Sequence, residues 1–236
     1  MGFTFKQFHI EQDNCAMKVG TDGVLLGAWA RGGKRILDIG TGTGLIALMM
    51  AQRFPYASID AIEIDGAASE EARKNIENSP FKDRITIFNT SLQEFHRKQS
   101  EYNLSGIYDT IVSNPPYFID SLKNIEQNKT IARHTETLSF NELIRCSHGL
   151  LKTNGNLSVI IPTESQKFLE NEAIFVGLSC SERVYIKTKE HKEAKRVLLE
   201  FRNGCEACAT TTESLTDEEN NKTDWYYNIT KDFYIK

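Results

Sequence analysis

Apolar residues fall along the chain in short, nearly unbroken runs, separated by stretches of helical period. Arg35-Ile36-Leu37-Asp38-Ile39, Ala57 to Asp65, Arg84-Ile85-Thr86-Ile87-Phe88, Asp109-Thr110-Ile111-Val112-Ser113 and Asn156 to Pro162 read as five buried strands. Between them, helical patterns begin at Leu45 and cover Ala67–Asn78, Leu138–Leu151 and Glu164–Ala173. Val184-Tyr185-Ile186 and Arg196–Phe201 form two last strands, joined by a basic hairpin bearing Lys187, Lys189, His191, Lys192 and Lys195. Such alternation predicts an α/β doubly wound domain. At the front, Phe3, Phe5, Phe8 and Ile10 alternate as in an edge strand. Gly20-Thr21-Asp22-Gly23 then supplies turn chemistry and an N-cap for a short apolar helix, Val24–Ala30. Residues 119–137 are polar without apolar period, so they are either disordered or a functional lid. The pattern divides a single domain, 1–236, into an N-terminal strand and capping helix (1–34), a core (35–202), a Thr/Glu/Asn-rich mobile loop (203–224) and an aromatic C-terminal segment that docks back (225–236).

Composition narrows the class. The chain has 236 residues, 40% hydrophobic and 25% charged, enough for a substantial core. A net charge of −4 provides no global basic field, so a nucleic-acid partner needs a local patch. Five scattered cysteines argue against a disulfide scaffold, and Cys205-Glu206-Ala207-Cys208 has no second pair to complete a zinc site; no metal is expected. With neither a signal-peptide core nor a membrane-length apolar run, a soluble cytoplasmic protein is expected, free of membrane and either a monomer or a weak dimer.

The chemistry gathers at strand ends. Asp38-Ile39-Gly40-Thr41-Gly42-Thr43-Gly44 is a strand end and a glycine turn, whose three alternate glycines let backbone approach a ligand closely. Glu63 lies 25 positions beyond Asp38, in line with the spacing of about 20 for an acid that binds ribose hydroxyls. Leu45 stands where a nicotinamide-type G-x-G-x-x-G needs its third glycine. Asp38 alone could simply cap the turn, and Glu63 alone could be a solvated acid. The fourth strand stops at Asn114-Pro115-Pro116-Tyr117-Phe118, where the prolines forbid any continuing helix or ladder. An amide oxygen, a proline-flanked carbonyl and an aromatic face then project together. They suit a planar group with an NH2, although a plain proline turn is the simpler alternative.

The glycine turn resembles motif I of S-adenosylmethionine-dependent methyltransferases, and Glu63 with Ile64 resembles their motif II. Asn114-Pro115-Pro116-Tyr117 is similar to the catalytic motif of enzymes that methylate exocyclic or amide nitrogens. Adding Phe3-Thr4-Phe5-Lys6-Gln7-Phe8, Gly20 to Trp29, Ala132-Arg133-His134 and Asp232-Phe233-Tyr234-Ile235-Lys236, the chain resembles the tRNA1(Val) (adenine(37)-N6)-methyltransferases over nearly its full length. The resemblance implies a Rossmann-like fold of seven strands, mostly parallel with an antiparallel last strand and helices on both faces. It implies S-adenosyl-L-methionine as cofactor, lined by Thr21, Asp38, Gly40, Thr41, Gly42, Gly44, Glu63, Ile64, Ser91, Leu92 and Asn114, with Ser91-Leu92 at the adenine edge. Catalysis falls to Asn114, Pro115, Pro116 and Tyr117. The implied partner is tRNA, and Lys6, Lys18, Tyr117, Phe118, Arg133, Lys187 and Lys189 are candidates to meet it.

Rivals share the motif or the fold. Glutamine methyltransferases carry an added N-terminal helical domain, whereas 34 residues precede Arg35 here. Guanine-N2 rRNA enzymes usually place Phe at the position of Tyr117. DNA adenine enzymes need a target-recognition domain. A non-catalytic RNA scaffold and a nicotinamide oxidoreductase are the readings from other classes.

Overall fold

Ile36 and Leu37 are neighbours in the chain but lie on opposite faces of one sheet. The same alternation in every central strand sorts the apolar residues into two cores. The computed structural model describes residues 2–13, 18–102, 104–115 and 138–235. The first half runs β1 (Phe3–Thr4), β2 (His9–Ile10), α1 (Thr21–Trp29), β3 (Arg35–Ile39), α2 (Leu45–Arg53), β4 (Ser58–Glu63), α3 (Gly66–Glu77), β5 (Ile85–Asn89), α4 (Leu92–Glu101) and β6 (Tyr108–Ser113). The second half runs α5 (Phe140–Leu150), β7 (Leu151–Pro162), α6 (Gln166–Phe175), β8 (Leu178–Lys189), β9 (Arg196–Asn203), β10 (Ala209–Thr216) and α7 (Asp224–Thr230).

The main sheet has the order β10-β8-β9-β7-β6-β3-β4-β5. β5, β4, β3, β6 and β7 are parallel, β9 is antiparallel to both β7 and β8, and β10 is parallel to β8. This is an α/β fold with a mostly parallel sheet. Leu25 of α1, Leu48 of α2 and Ile76 of α3 cover one face, and Phe95 of α4, Ile144 of α5 and Leu169 of α6 cover the other. Burial on both faces is why these strands read as continuous apolar runs. Caps fix the helix starts: Asp65 takes the Ala68 N–H at 2.7 Å, and Ser139 and Glu142 form a reciprocal capping box. Among the described residues no helix is long and apolar enough to cross a membrane.

Three expectations are corrected. Phe3 to Ile10 is not an edge strand of the main sheet. It folds into a separate hairpin of β1 and β2, with Phe3 opposite Ile10. The hairpin holds the other end of the chain: Phe5 bridges Tyr234, the Lys6 N–H reaches the Phe233 carbonyl at 2.8 Å, and Phe5 and Phe233 are buried. Residues 203–224 are not a loop throughout, because Ala209–Thr216 forms β10 on the edge beside β8. Threonine's β-branched side chain suits such a half-exposed edge. Finally, Thr21 and Asp22 do not cap α1. Its N-cap is Gly20, which makes no side-chain cap bond.

α1 sits close against α2. A Cβ at Gly27 would lie 2.8 Å from Met49 Sδ, and one at Gly23 would lie 3.1 Å from Leu45 Cδ2. The start of α1 is thereby fixed beside the start of α2.

Candidate active site

β3 lies between β4 and β6, where the strand order reverses, and such switch points open a crevice beyond the strands' carboxyl ends. Ile39 pairs with Ile62 on one side and with Ser113 on the other. Gly40, Glu63 and Asn114 are therefore the next residues beyond three adjacent positions. The Ser113 hydroxyl donates to the Ile39 carbonyl at 3.0 Å, locking the end of β6 to that of β3. Asn114 is half-buried and Pro115 buried.

The glycine turn needs its glycines. Gly40, Gly42 and Gly44 all have positive φ, at 69°, 56° and 84°. Nothing lies within 4 Å of where a Cβ on Gly40 would stand, so the turn opens onto free space there. Its N–H groups are largely committed. Those of Gly40 and Thr41 go to the Ile62 carbonyl at 2.9 and 3.0 Å, that of Gly44 to the Thr41 carbonyl at 2.9 Å, and that of Gly42 to Glu63 Oε2 at 2.9 Å.

Asp38 is fully buried behind the turn. Its Oδ2 accepts from the Thr41 hydroxyl at 2.6 Å and from the Ala47 N–H, in the first turn of α2, at 3.1 Å. Its Oδ1 is buried with no hydrogen-bond partner among the described residues. Burial pushes its pKa up to about 7; the bonds from Thr41 and Ala47 pull the other way, and Glu63 adds a small upward push. In the first turn of α2 the Ala47 N–H is thus committed to Asp38 and is not open to a ligand phosphate.

Glu63 uses its second oxygen, Oε1, to accept the Asp65 N–H at 3.0 Å, and an ionised carboxylate retains further acceptor positions after both bonds. Beside it, Ile64 is 55% exposed, an apolar side chain at the mouth of the crevice. Asn89, which is not among the candidates read from the sequence, donates to the Glu63 and Ile64 carbonyls at 2.9 and 3.1 Å and shapes that strand end. Asn75, also missed, donates to the Thr43 carbonyl and braces the glycine turn from behind at 2.9 Å.

The other candidates are less uniform. The Ser91 hydroxyl caps α4 by accepting the Glu94 N–H at 3.2 Å, and Leu92 is buried in the core. The cap uses one lone pair of that hydroxyl, and a serine oxygen has a second lone pair and an O–H besides. Thr41 likewise turns its hydroxyl to Asp38. Thr21 is exposed at the first position of α1, and its neighbour Asp22 accepts from Arg196 Nε at 2.8 Å. Arg196 pairs with Pro162 at the carboxyl end of β7, so this ion pair borders the same crevice. Lys6 donates to the Lys231 carbonyl at 2.6 Å and serves the chain-end clasp. Lys18 is exposed. Lys187 and Lys189 end β8, which runs parallel to β7 through antiparallel β9, so both face the rim that Asn114 shares. Pro116, Tyr117, Phe118 and Arg133 lie outside the described residues, as does the stretch 119–137.

The family model described as methyltransferase small domain matches residues 19–178. A relative from Phocaeicola vulgatus, named tRNA1(Val) (adenine(37)-N6)-methyltransferase, is 46% identical over 235 residues, spanning 99% of this chain and 97% of its own. One of the same name from Aeromonas hydrophila is 39% identical and spans 100% and 98%. The chain belongs to the tRNA1(Val) (adenine(37)-N6)-methyltransferase family.

Solved structures share this family member's fold. A predicted O-methyltransferase from Agrobacterium tumefaciens superposes with a TM-score of 0.67 at 21% identity, covering 90% of this chain and 96% of that one. TYW2 of Pyrococcus horikoshii, in complex with MeSAdo, gives 0.59 at 15%, covering 86% and 70%. The methyltransferase's own residues fit S-adenosyl-L-methionine. Among the described residues Asp38 Oδ1 is a buried acceptor without a donor, the Gly40 turn opens onto free space, and Glu63 with Ile64 pairs an acceptor for hydroxyls with an apolar face. Among the described residues no group of three or more His, Cys, Asp or Glu could hold a metal ion.

Proposed function

We propose that the protein methylates N6 of an adenine in the anticodon loop of tRNA, with adenine 37 of a valine tRNA as the target. The single observation that carries this is the lock between Ser113 and Ile39, which sets Asn114-Pro115 beside the glycine turn at the switch point. S-adenosyl-L-methionine supplies an electrophilic methyl group on a sulfonium. Asp38, the Gly40–Gly44 turn, Glu63 and Ile64 would hold that cofactor, together with Thr21, Ser91, Leu92 and Asn114.

An adenine amino nitrogen is a weak nucleophile because its lone pair is delocalised into the ring. The Asn114 side-chain oxygen and the Pro115 carbonyl each accept one of its hydrogens, favouring a more tetrahedral nitrogen and fixing its direction. As positive charge grows on nitrogen the two bonds become charge-assisted, so they strengthen in the transition state. Tyr117 stacks on the base, a contact worth roughly 1–3 kcal/mol by analogy with single-strand binders. No strong general base is needed. A target in a loop is the easiest to bring out of its stack. Lys6, Lys18, Lys187 and Lys189 meet the RNA, as do Phe118 and Arg133. The enzyme works in the cytoplasm as a monomer or weak dimer.

The test is transfer of tritiated methyl groups onto total tRNA from a strain lacking this protein, followed by nucleoside mass spectrometry. N6-methyladenosine is the expected product. Label on protein in place of tRNA would overturn the assignment in favour of a glutamine acceptor.

A further inference from the structure

The pair Cys205-x-x-Cys208 has no part in methyl transfer, but its second member meets a third cysteine. Cys208 Sγ lies 3.1 Å from Cys180 Sγ, inside ordinary sulfur contact and just over 1 Å from the length of a disulfide. The two sulfurs come together because β10 lies parallel on β8, with Ala209 opposite Glu182, directly after Cys208 and just past Cys180. Here β8 also slips register against β9, between Cys180 and Glu182, and such an irregularity re-aims a side chain. All three thiols are half-buried, so a small solute can reach them. Cys205 turns away, donating to the Ala207 carbonyl at 3.0 Å.

We propose that Cys180 and Cys208 form a reversible redox staple that fastens the edge strand β10 to β8, with a hydroperoxide as oxidant. Burial first, and then the adjoining Cys208 thiol, push Cys180 up, which leaves it to act second. The Cys208 thiolate attacks hydrogen peroxide; the O–O bond breaks, and the departing hydroxide takes a proton to become water. Cys208 is then a sulfenic acid. Cys180 sulfur attacks it, the S–S bond forms, the S–O bond breaks, and a second water leaves with the Cys180 proton. Two thiols give up two electrons in total, and one peroxide becomes two waters.

The bond joins residues 28 positions apart and so restricts the unfolded chain. It lies at the amino end of β8, far along that strand from Lys187 and the catalytic rim, so methyl transfer runs at the same rate in both redox states.

The full-length protein, purified reduced, is treated with hydrogen peroxide, quenched, and compared with an untreated sample. Expected are a mass lower by about 2 Da and a Cys180–Cys208 cross-linked peptide, both reversed by dithiothreitol. The unfolding temperature rises by roughly 5–10 °C. Cys180→Ser and Cys208→Ser each abolish the cross-link and the rise, and Cys205→Ser keeps both. A Cys205–Cys208 disulfide, Cys208 over-oxidised without a cross-link, or a cross-link that leaves the unfolding temperature unchanged would overturn the proposal.

Discussion

Asp38 is a carboxyl walled off from water, held on one oxygen by Thr41 and Ala47 and, among the described residues, without a partner on the other. Because its pKa is raised to about 7 from an ordinary 3.8, the folded protein keeps a proton that the unfolded chain releases as pH climbs through that interval. Its contribution to stability is therefore full below pH about 4 and is lost as pH rises through about 7. Urea unfolding of the protein without cofactor should show stability falling from pH 5 to 8, and Asp38→Asn should flatten that fall. Parallel curves for the two proteins would remove Asp38 from the account. Asn114 makes a kinetic prediction. Asn114→Ala should lower kcat roughly 100-fold or more while calorimetry shows a much smaller change in affinity for S-adenosylhomocysteine. Full methylation by this variant would favour a non-catalytic scaffold. Asp38, Gly40, Gly42, Gly44 and Glu63 were legible as a group because they lie within one βαβ unit, where spacing along the chain is spacing in space. Ser91-Leu92-Gln93-Glu94 also spells a capping box, and the Ser91 hydroxyl does cap α4. The carbonyl that Lys6 meets was not legible, since Lys231 is 225 positions away and no local pattern reports that.

Elements place these residues more firmly than single bonds do. α1 reaches the crevice only because Gly23 and Gly27, four apart on one face, let it press on α2. Gly27→Ala drives a methyl group into the fully buried Met49, at distances of 2.8 Å to Sδ and 3.0 Å to Cβ. The cost should be about 1–3 kcal/mol in chemical denaturation, since a packed core resists added volume. An unchanged or higher midpoint would mean that Met49 finds room. The parallel strands were legible because burial on both faces leaves a continuous apolar run. β10 was not, because an edge strand buries one side at most, and Ala209-Thr210-Thr211-Thr212-Glu213-Ser214-Leu215-Thr216 carries its strand tendency in threonine and not in hydrophobicity.

At the scale of the whole molecule, a net charge of −4 means that an RNA needs a local surface. The topology gathers Lys187 and Lys189 on the rim shared by Asn114, while Glu218 from the turn after β10 pairs with His191 of the same hairpin at 2.6 Å. Fold class was readable from the order of elements, whereas the chain-end clasp was not, since Phe5 and Tyr234 meet only in three dimensions. Asn75 shows how far the pocket extends. Its amide nitrogen holds the Thr43 carbonyl and also the Glu11 carbonyl, and its oxygen takes the Glu11 N–H, all at 2.9 Å. One side chain therefore buttons the chain just past β2 onto the back of the glycine turn. Whatever steadies that turn must also slow the breathing of the segment it fastens. Deuterium uptake at the Glu11 amide should drop when S-adenosylhomocysteine is added and stay high in Asn75→Ala, so an amide that never touches the nucleoside becomes a gauge of its arrival.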